Sequence, residues 1–388
     1  MVISGGGIGG LAAALACARA GRNVELLEQS LAFGEVGAGI QLGPNVVRVL
    51  EGLGLGEALG RVAAFPLQLE VRNATTTERL GVLPLGPATV QRYGAAYATI
   101  ARADMHTLLL DAVGAQGGVN LHLDSRVICI TQDEQHVRVE TVQDQTFEAP
   151  LLLGADGLWS QVRKQVVEND SVPRTTGHLA FRAMLPQSTL PASLRTQVVT
   201  AWMGPDFHAV HYPVRSGDWL NVVCIVNGQV SGDPQSWDHS ANAHELRNRM
   251  AKARGPLREL LYAIDSWRLW PLSDRPPMAS AAEHAKGRIA LLGDAAHPMR
   301  PYLAQGAGMA IEDAAALATC LSEAPDQIPQ ALARYAAMRW QRNARVQARA
   351  IRNGEIYHLK GLQQVGRDMA LKLLGARLMD VPWLYKGP

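Results

Sequence analysis

Met1–Gln29 reads MVISGGGIGGLAAALACARAGRNVELLEQ. The short apolar start VIS predicts a strand, GGGIGG a turn, the alanine-rich run after it a helix, and NVELLE a second strand. Strand, glycine turn, helix and strand make a βαβ unit. Within it, Gly5-x-Gly7-x-x-Gly10 has the spacing of a dinucleotide site. Gly5 permits the tight turn, Gly7 lets backbone approach a pyrophosphate, and Gly10 lets helix and strand pack closely. The free N–H groups and partial positive charge of the helix start then face phosphate. Glu28 closes the second strand eighteen residues after Gly10. A carboxylate there accepts hydrogen bonds from ribose hydroxyls. A nucleotide cofactor is expected, NAD or FAD; a structural glycine turn is the alternative.

Two later stretches repeat the pattern. GADGLWSQVR (Gly154–Arg163) follows the apolar run APLLL, and LLGDAAHPMRPYLAQGAGMAIEDAAAL (Leu291–Leu317) places Gly293-Asp294 after RIA. A nicotinamide cofactor has no need of two further acids at strand ends. FAD is longer, and its ribityl hydroxyls need acceptors. Asp294 suits that role, with a plain helix N-cap as the alternative. Gln305-Gly306-Ala307-Gly308 then opens a helix with glycines. Each costs about 1 kcal/mol relative to Ala in a helix interior. They make sense if a flat ring comes close to the backbone.

The chain has 388 residues, long for one core, so two lobes are expected. Hydrophobic residues make up 47% and charged residues 19%, an ordinary globular balance. A net charge of +2 gives no electrostatic case for nucleic acid or an anionic membrane. Cys17, Cys129, Cys224 and Cys320 are scattered without a CxxC pair. They fit reduced cytosolic thiols, not a disulfide framework or a zinc site, and no metal is expected. Met1–Ala18 is uncharged and ends in ALACA, but it lacks a basic start and holds five glycines. Export is therefore not expected, and the location is expected to be cytoplasmic. MALKLLGARLMDVPWLY near the end is broken by Lys372, Arg377 and Asp380. It reads as an amphipathic helix on the body, not a membrane span.

Between these landmarks, VNLHLDSRVICITQDEQHVRVETVQD alternates and predicts antiparallel strands. From about Thr175 to Leu272 the sequence is β-rich. After Pro329 it is helical, and its arginines (RYAAMRWQRNARVQARAIRNGEIYHLKG) read as a solvated or interface face. FHAVHYPVR alternates as a strand, with His208 and Tyr212 on one face and His211 on the other. Four residues span about 13 Å, so His208 and Tyr212 flank one ring only if the strand bends or the ring lies along it. A histidine near its ordinary pKa is a suitable base for deprotonating a phenol; a satisfied core histidine is the alternative. Opposite faces argue against a metal shared by His208 and His211. His297 reads as structural or close to the cofactor. Arg182 would face the cofactor, a substrate carboxylate or a surface acid.

GAGIQLGPNVVRVLEGLGL, ARADMHTLLL, DGLWSQVR, GDAAHPM, AQGAGMAIEDA and RNGEIYH together resemble the single-component (class A) FAD-dependent aromatic hydroxylases over nearly the whole chain. The likeness is to the branch of salicylate hydroxylase, 3-hydroxybenzoate 6-hydroxylase and 6-hydroxynicotinate 3-monooxygenase. The resemblance implies an α/β (α+β) fold: a GR2-type Rossmann-like FAD-binding domain, a β-sheet substrate domain and C-terminal helices. It assigns 1–70, 101–174 and 273–330 to the FAD-binding domain, 71–100 and 175–272 to the substrate domain, and 331–388 to the helical segment. No thioredoxin-like domain of the phenol hydroxylase kind is expected.

By the same resemblance, Arg102 and Val127 contact FAD, Asp156-Gly157 serves FAD and transient NADH or NADPH, and Asp294 holds the ribityl chain. Pro301, Gly306, Ala307 and Gly308 lie against the isoalloxazine, where the helix dipole favours negative charge on reduced flavin. His208, Tyr212 and Gln305 become the catalytic residues. The implied reaction is NAD(P)H- and O2-dependent hydroxylation of a small phenolic acid through a C4a-hydroperoxyflavin. A FAD-linked dehydrogenase or oxidase, a hydroxylase of a larger non-acidic aromatic, and a non-enzymatic FAD-binding protein are the rivals. The family look also suggests a homodimer. Two departures stand out: the first strand is short, and Gln29 follows Glu28 where a basic residue is common.

Overall fold

The computed structural model describes residues 1–34, 38–229 and 239–387. Gly37, the first residue of GAGIQLGPNVVRVLEGLGL, lies outside the described residues. The expected mixed α/β architecture is present. Six strands form one sheet in the order Ala285–Lys286, Ile289–Leu291, Leu152–Gly154, Val2–Ser4, Val24–Leu27, Val119–His122. All neighbours run parallel except the edge pair Ala285–Lys286 and Ile289–Leu291. Parallel strands carry helices on their faces and so read as apolar runs. The first crossover helix, Ile8–Arg19, buries Leu11 and Leu15 completely, each contributing roughly 1.5–3 kcal/mol. That helix lies so close to its neighbours that a Cβ on Gly9 would stand 2.7 Å from Leu292 and 3.2 Å from Ala310.

The second sheet has eight strands: His239–Ser240, Arg268–Asp274, Arg174–Pro186, Trp219–Asn227, Phe207–Val214, Val199–Gly204, Gln68–Asn73 and Arg79–Pro84. Along Phe207–Val214 the side chains alternate faces. Phe207 and Ala209 pack with Leu246, Leu257 and Leu261 of two helices, while Tyr212 and Val214 pack with Met309 and Val346 of the first lobe. The sheet is thus covered on one side by its own helices and on the other by the nucleotide lobe. Small sheets complete the fold: Val127–Gln132, Val137–Thr141 and Thr146–Ala149 form one, Gly39–Leu42 with Ala98–Ala101 another.

Three sequence expectations need correction. VNLH is not part of the antiparallel set; Val119–His122 pairs parallel with Val24–Leu27 as the sheet edge. One edge and its face meet solvent, so Asn120 and Leu121 are exposed, and the alternation of an antiparallel strand is mimicked. The β-rich stretch also contains helices Ala243–Arg249 and Gly255–Ala263, which cap the outer sheet face. Lastly, the arginine-rich helix Ile328–Tyr357 is not wholly solvated. Arg339 is fully buried and Arg342 nearly so, because both meet acids of the adjacent helix Gly306–Glu323.

Candidate active site

The three strand–turn motifs converge. Ser4 pairs with Gly154 and Gly154 with Leu291, so GGGIGG, DGLWS and GDAAH leave the same sheet edge side by side. Ligands of open α/β sheets bind beyond such carboxyl ends. Each glycine of the first motif has a distinct reason. Gly5 sits at φ +106° and a Cβ there would stand 2.4 Å from the Ala155 carbonyl oxygen. On Gly10, a Cβ would fall 1.9 Å from the Gly5 carbonyl oxygen. By contrast, a Cβ on Gly7 would meet nothing within 4 Å, so this backbone borders open space at the helix start. A pyrophosphate needs that cradle. Glu28 stands beside it and accepts N–H bonds from Gly6 (2.7 Å) and Ser30 (2.9 Å). Val127 is buried with Val2 and Leu27, two residues beyond Ser125, whose N–H donates to the Glu28 carbonyl.

Asp294 leaves the third motif through Gly293, at φ +58°. Its residue is open to solvent, yet protein crowds the carboxyl. Desolvation holds its pKa above the ordinary value, against the opposing pull of Arg102 and His297. Arg102 begins helix Arg102–Gln116 and donates its backbone N–H to Ala38. Asp156 is engaged locally: it accepts from Ser160 Oγ (2.5 Å) and from the N–H groups of Gln161 (2.8 Å) and Val162 (3.2 Å). This folds the turn and leaves Gly157, at φ +74°, with open space beside it. Arg163 ties the second motif to the third by donating to the carbonyls of Ala295 and Ala296.

Pro301 opens a single 3-10 turn, Pro301–Leu303, and Ala304 follows in the left-handed region at φ +52°. Gln305 caps helix Gly306–Glu323, buried, with its Oε1 accepting from Asn45 Nδ2 at 3.2 Å. A Cβ on Gly308 would press on Val46 at 2.6 Å, whereas one on Gly306 would meet only Met299, at 4.0 Å. Gly308 therefore serves packing, and Gly306 and Ala307 leave the helix start approachable. The glycines, the strand-end acids and the cations Arg102 and Arg182 fit an extended dinucleotide. The Arg182 Nε is buried without a hydrogen-bond partner, its guanidinium 4.2 Å over Trp270. Burial draws the Arg182 pKa down to about 10.

Across the interface, His208 and Tyr212 do share a face but not their neighbours. His208 is 4% exposed and lies between the rings of Tyr302 (5.1 Å) and Tyr357 (5.2 Å). Its Nδ1 is 2.8 Å from His358 Nε2. His178 joins the group through Tyr302 Oη, 2.6 Å from its Nδ1. Burial first, then His358 and His178, hold the His208 pKa well below its ordinary value. The expectation of a base near its ordinary pKa is therefore not met: burial makes the free ring harder to protonate. Tyr212 stands further along, near Gln41 and Arg182. Gly39 makes room for it, since a Cβ there would be 2.6 Å from Tyr212 Cε2. Among the described contacts, none joins Gln305 to His208 or Tyr212. His211 turns to the opposite face, against Trp202.

His297, also buried, lies 2.5 Å from Asp313 Oδ2. With His284 it forms a three-ligand arrangement around Asp313. The carboxylate already accepts from Arg339 (2.7 Å), Asn343 (3.0 Å) and Gly293 N–H (3.2 Å). A fixed guanidinium there repels a cation, so the group is an ionic joint.

Sequence reading missed His178, Tyr302, Tyr357 and His358. The signal was in RNGEIYH. Asn353 Nδ2 donates to the Tyr302 carbonyl at 3.1 Å, and Gly354 exists because a Cβ would stand 2.4 Å from the Tyr302 ring. The motif is a socket for Tyr302, and His358 caps the helix that carries it.

A family profile described as FAD binding domain matches residues 1–350. The chain is 37% identical to a 3-hydroxybenzoate 6-hydroxylase of Polaromonas naphthalenivorans (strain CJ2), over 99% of this chain and 95% of the relative. It is 36% identical to a 6-hydroxynicotinate 3-monooxygenase of Bordetella bronchiseptica, covering 89% of each. A solved salicylate hydroxylase substrate complex superposes with a TM-score of 0.82 at 28% identity, over 99% of this chain and 94% of that one. No described helix is long and apolar enough to cross a membrane. With the glycine cradle and strand-end acids at one sheet edge, these likenesses leave one assignment: the chain belongs to the FAD-binding-domain family of flavoprotein aromatic monooxygenases.

Proposed function

We propose that this chain hydroxylates a small phenolic acid of the 3-hydroxybenzoate, salicylate or hydroxynicotinate type, with NADH or NADPH and O2 as co-substrates. The observation that carries this reading is His208: a buried imidazole on the sheet face turned toward the first lobe, its Nδ1 on His358 and, among the described residues, no carboxylate in contact. A neutral imidazole can accept a phenolic proton, and the phenolate is far richer in electrons ortho and para to its oxygen. Gly5, Gly7, Gly10, Glu28, Arg102, Val127, Asp156, Gly157, Asp294, Pro301, Gly306 and Ala307 would hold FAD, Gly308 letting their helix start seat on Val46, and Asp156-Gly157 would also receive the nicotinamide. Bound there, FAD supplies two-electron exchange with the nicotinamide and delivers one oxygen atom of O2 in electrophilic form.

His208 takes the phenolic proton at Nε2. Tyr212 holds its proton, since burial raises its pKa, and so donates a hydrogen bond to substrate. Gln305, fixed by Asn45, orients the ring from the helix side. Pro301 and Tyr302 close the site against water, which limits uncoupled peroxide release. The same reading makes the chain a cytoplasmic homodimer. The test is oxidation of NADH and NADPH by the FAD-loaded protein against a panel of hydroxybenzoates and hydroxynicotinates, with hydrogen peroxide measured in parallel and 18O2 as oxidant. One compound should accelerate oxidation with little peroxide and carry 18O in its product. Flat rates, or stoichiometric peroxide with every compound, would reject phenolic acids; turnover without label would indicate a dehydrogenase or oxidase.

A further inference from the structure

We propose that His358 is a positioning residue that sets the tautomer of His208 and carries the abstracted proton out to solvent. This rests on His208 being the base of the proposed reaction. The His208 Nδ1 to His358 Nε2 contact is 2.8 Å, so one imidazole donates and the other accepts. When His208 Nδ1 donates, its Nε2 keeps a lone pair for the substrate; the reverse tautomer would place a proton there and block it. Tyr302 and Tyr357 pack edge-to-face with His208, and among the described residues the hydrogen bond of its ring goes to His358.

The groups around the two imidazoles differ, although burial, His178, Arg367 and Lys360 hold the His358 pKa down to about 4. Among the described residues, His208 sees His358 and His178 but no acid. His358 is half-buried, stands at the C-terminal end of helix Ile328–Tyr357, and feels Asp206 as well as Lys360, Arg367 and His178. Helix C-termini stabilise imidazolium. Beyond it, the exposed pair Lys360–Asp206 (2.6 Å) marks the surface. His178, bonded to Tyr302, has Arg300 and Asp274 nearby. These are the charged and titratable groups around the relay.

The proton count closes. A phenolic proton enters at His208 Nε2, the Nδ1 proton passes to His358 Nε2, and the His358 Nδ1 proton leaves to water. When the hydroxylated ring regains aromaticity, its oxygen needs a proton back. Running the relay in reverse supplies it and restores both tautomers.

The test uses the FAD-loaded full chain with 3-hydroxybenzoate as probe, followed by the ultraviolet difference between phenol and phenolate in stopped flow. His358→Gln keeps a hydrogen bond to His208 but cannot relay. It should bind the probe within about twofold of wild type, yet form phenolate at least about tenfold more slowly, with a changed pH profile. His358→Ala should be slow likewise and be accelerated by added imidazole. Wild-type ionisation rates in His358→Gln would overturn the relay and leave the base assignment standing. No ionisation of bound probe in wild type would overturn both. Nitrogen-15 spectra of both imidazoles give an independent check: loss of His358 should change the tautomer of His208, and an unchanged tautomer would overturn the positioning role.

Discussion

Two buried polar groups meet helix Ile328–Tyr357, one at its middle and one at its C-terminal end, and they are built on opposite rules. Around Glu312 and Asp313, each carboxylate has a cationic partner. Arg339 reaches both acids (2.9 and 2.7 Å), Arg342 takes Glu312, and His297 takes Asp313. Arg339 and His297 draw the Asp313 pKa down against a large desolvation penalty. Around His208, by contrast, three histidines and two tyrosines meet with, among the described residues, no touching carboxylate, and burial lowers the pKa of all three imidazoles. A buried charge that is fully matched holds a fold together. Buried titratable groups left unmatched are costly to charge, so a proton that reaches one is passed on and not kept.

The difference can be broken from either side. His208→Gln should cut coupled turnover by roughly 10²–10⁴-fold, with flavin content kept and unfolding free energy shifted by no more than about 1 kcal/mol; a large stability loss would make His208 a core residue. Asp313→Asn should do the reverse. It leaves Arg339 and His297 short of charge and should destabilise by roughly 3–5 kcal/mol, read by urea denaturation, and a change below about 1 kcal/mol would show the joint to be dispensable. Acid should act on His358 and on the Asp313 carboxylate in different windows. His358 is held near about 4 when folded, below its unfolded value of about 6.5. The folded state thus favours the neutral ring, and its contribution is complete above about pH 6.5 and lost as pH falls toward 4. By pH 5 the loss is about 1–2 kcal/mol. Asp313 has the depressed carboxylate sign, so its contribution persists above about pH 3.9 and fades only below. His358→Gln should flatten the pH 5–7 slope of Tm; an unchanged slope would assign it elsewhere. The smallest effect is expected at Gly7→Ala. Its Cβ meets nothing in the protein, so stability should hold while FAD affinity falls about tenfold, roughly 1.4 kcal/mol, by flavin fluorescence titration.

Much of this was legible where a local rule had a single solution. Gly5 and Gly10 are dictated by backbone approaches that no side chain survives, and such glycines announce a βαβ turn directly. Period-2 alternation put His208 and Tyr212 on one face, and the packing of Tyr212 and Phe207 on opposite sides agrees with it. What escaped was set by partners distant in sequence. His358 lies 150 residues from His208, and no spacing rule connects a helix cap to a mid-sheet strand. Arg339 looked like a surface arginine because helical periodicity is blind to the acids on another helix. VNLH alternated for a reason unrelated to antiparallel pairing, its exposure at a sheet edge.

Helix Ile328–Tyr357 spans 30 residues, about 45 Å, and both polar groups depend on it. Asn343 is held by Asp313 at one point, and Asn353 by Tyr302 further on. Each added or removed residue between them would rotate everything beyond by about 100° and shift it by about 1.5 Å. Losing one codon in that interval would swing His358 away from His208 while the joint stayed intact. The codon count between Asn343 and Asn353 is therefore fixed like the teeth of a gear.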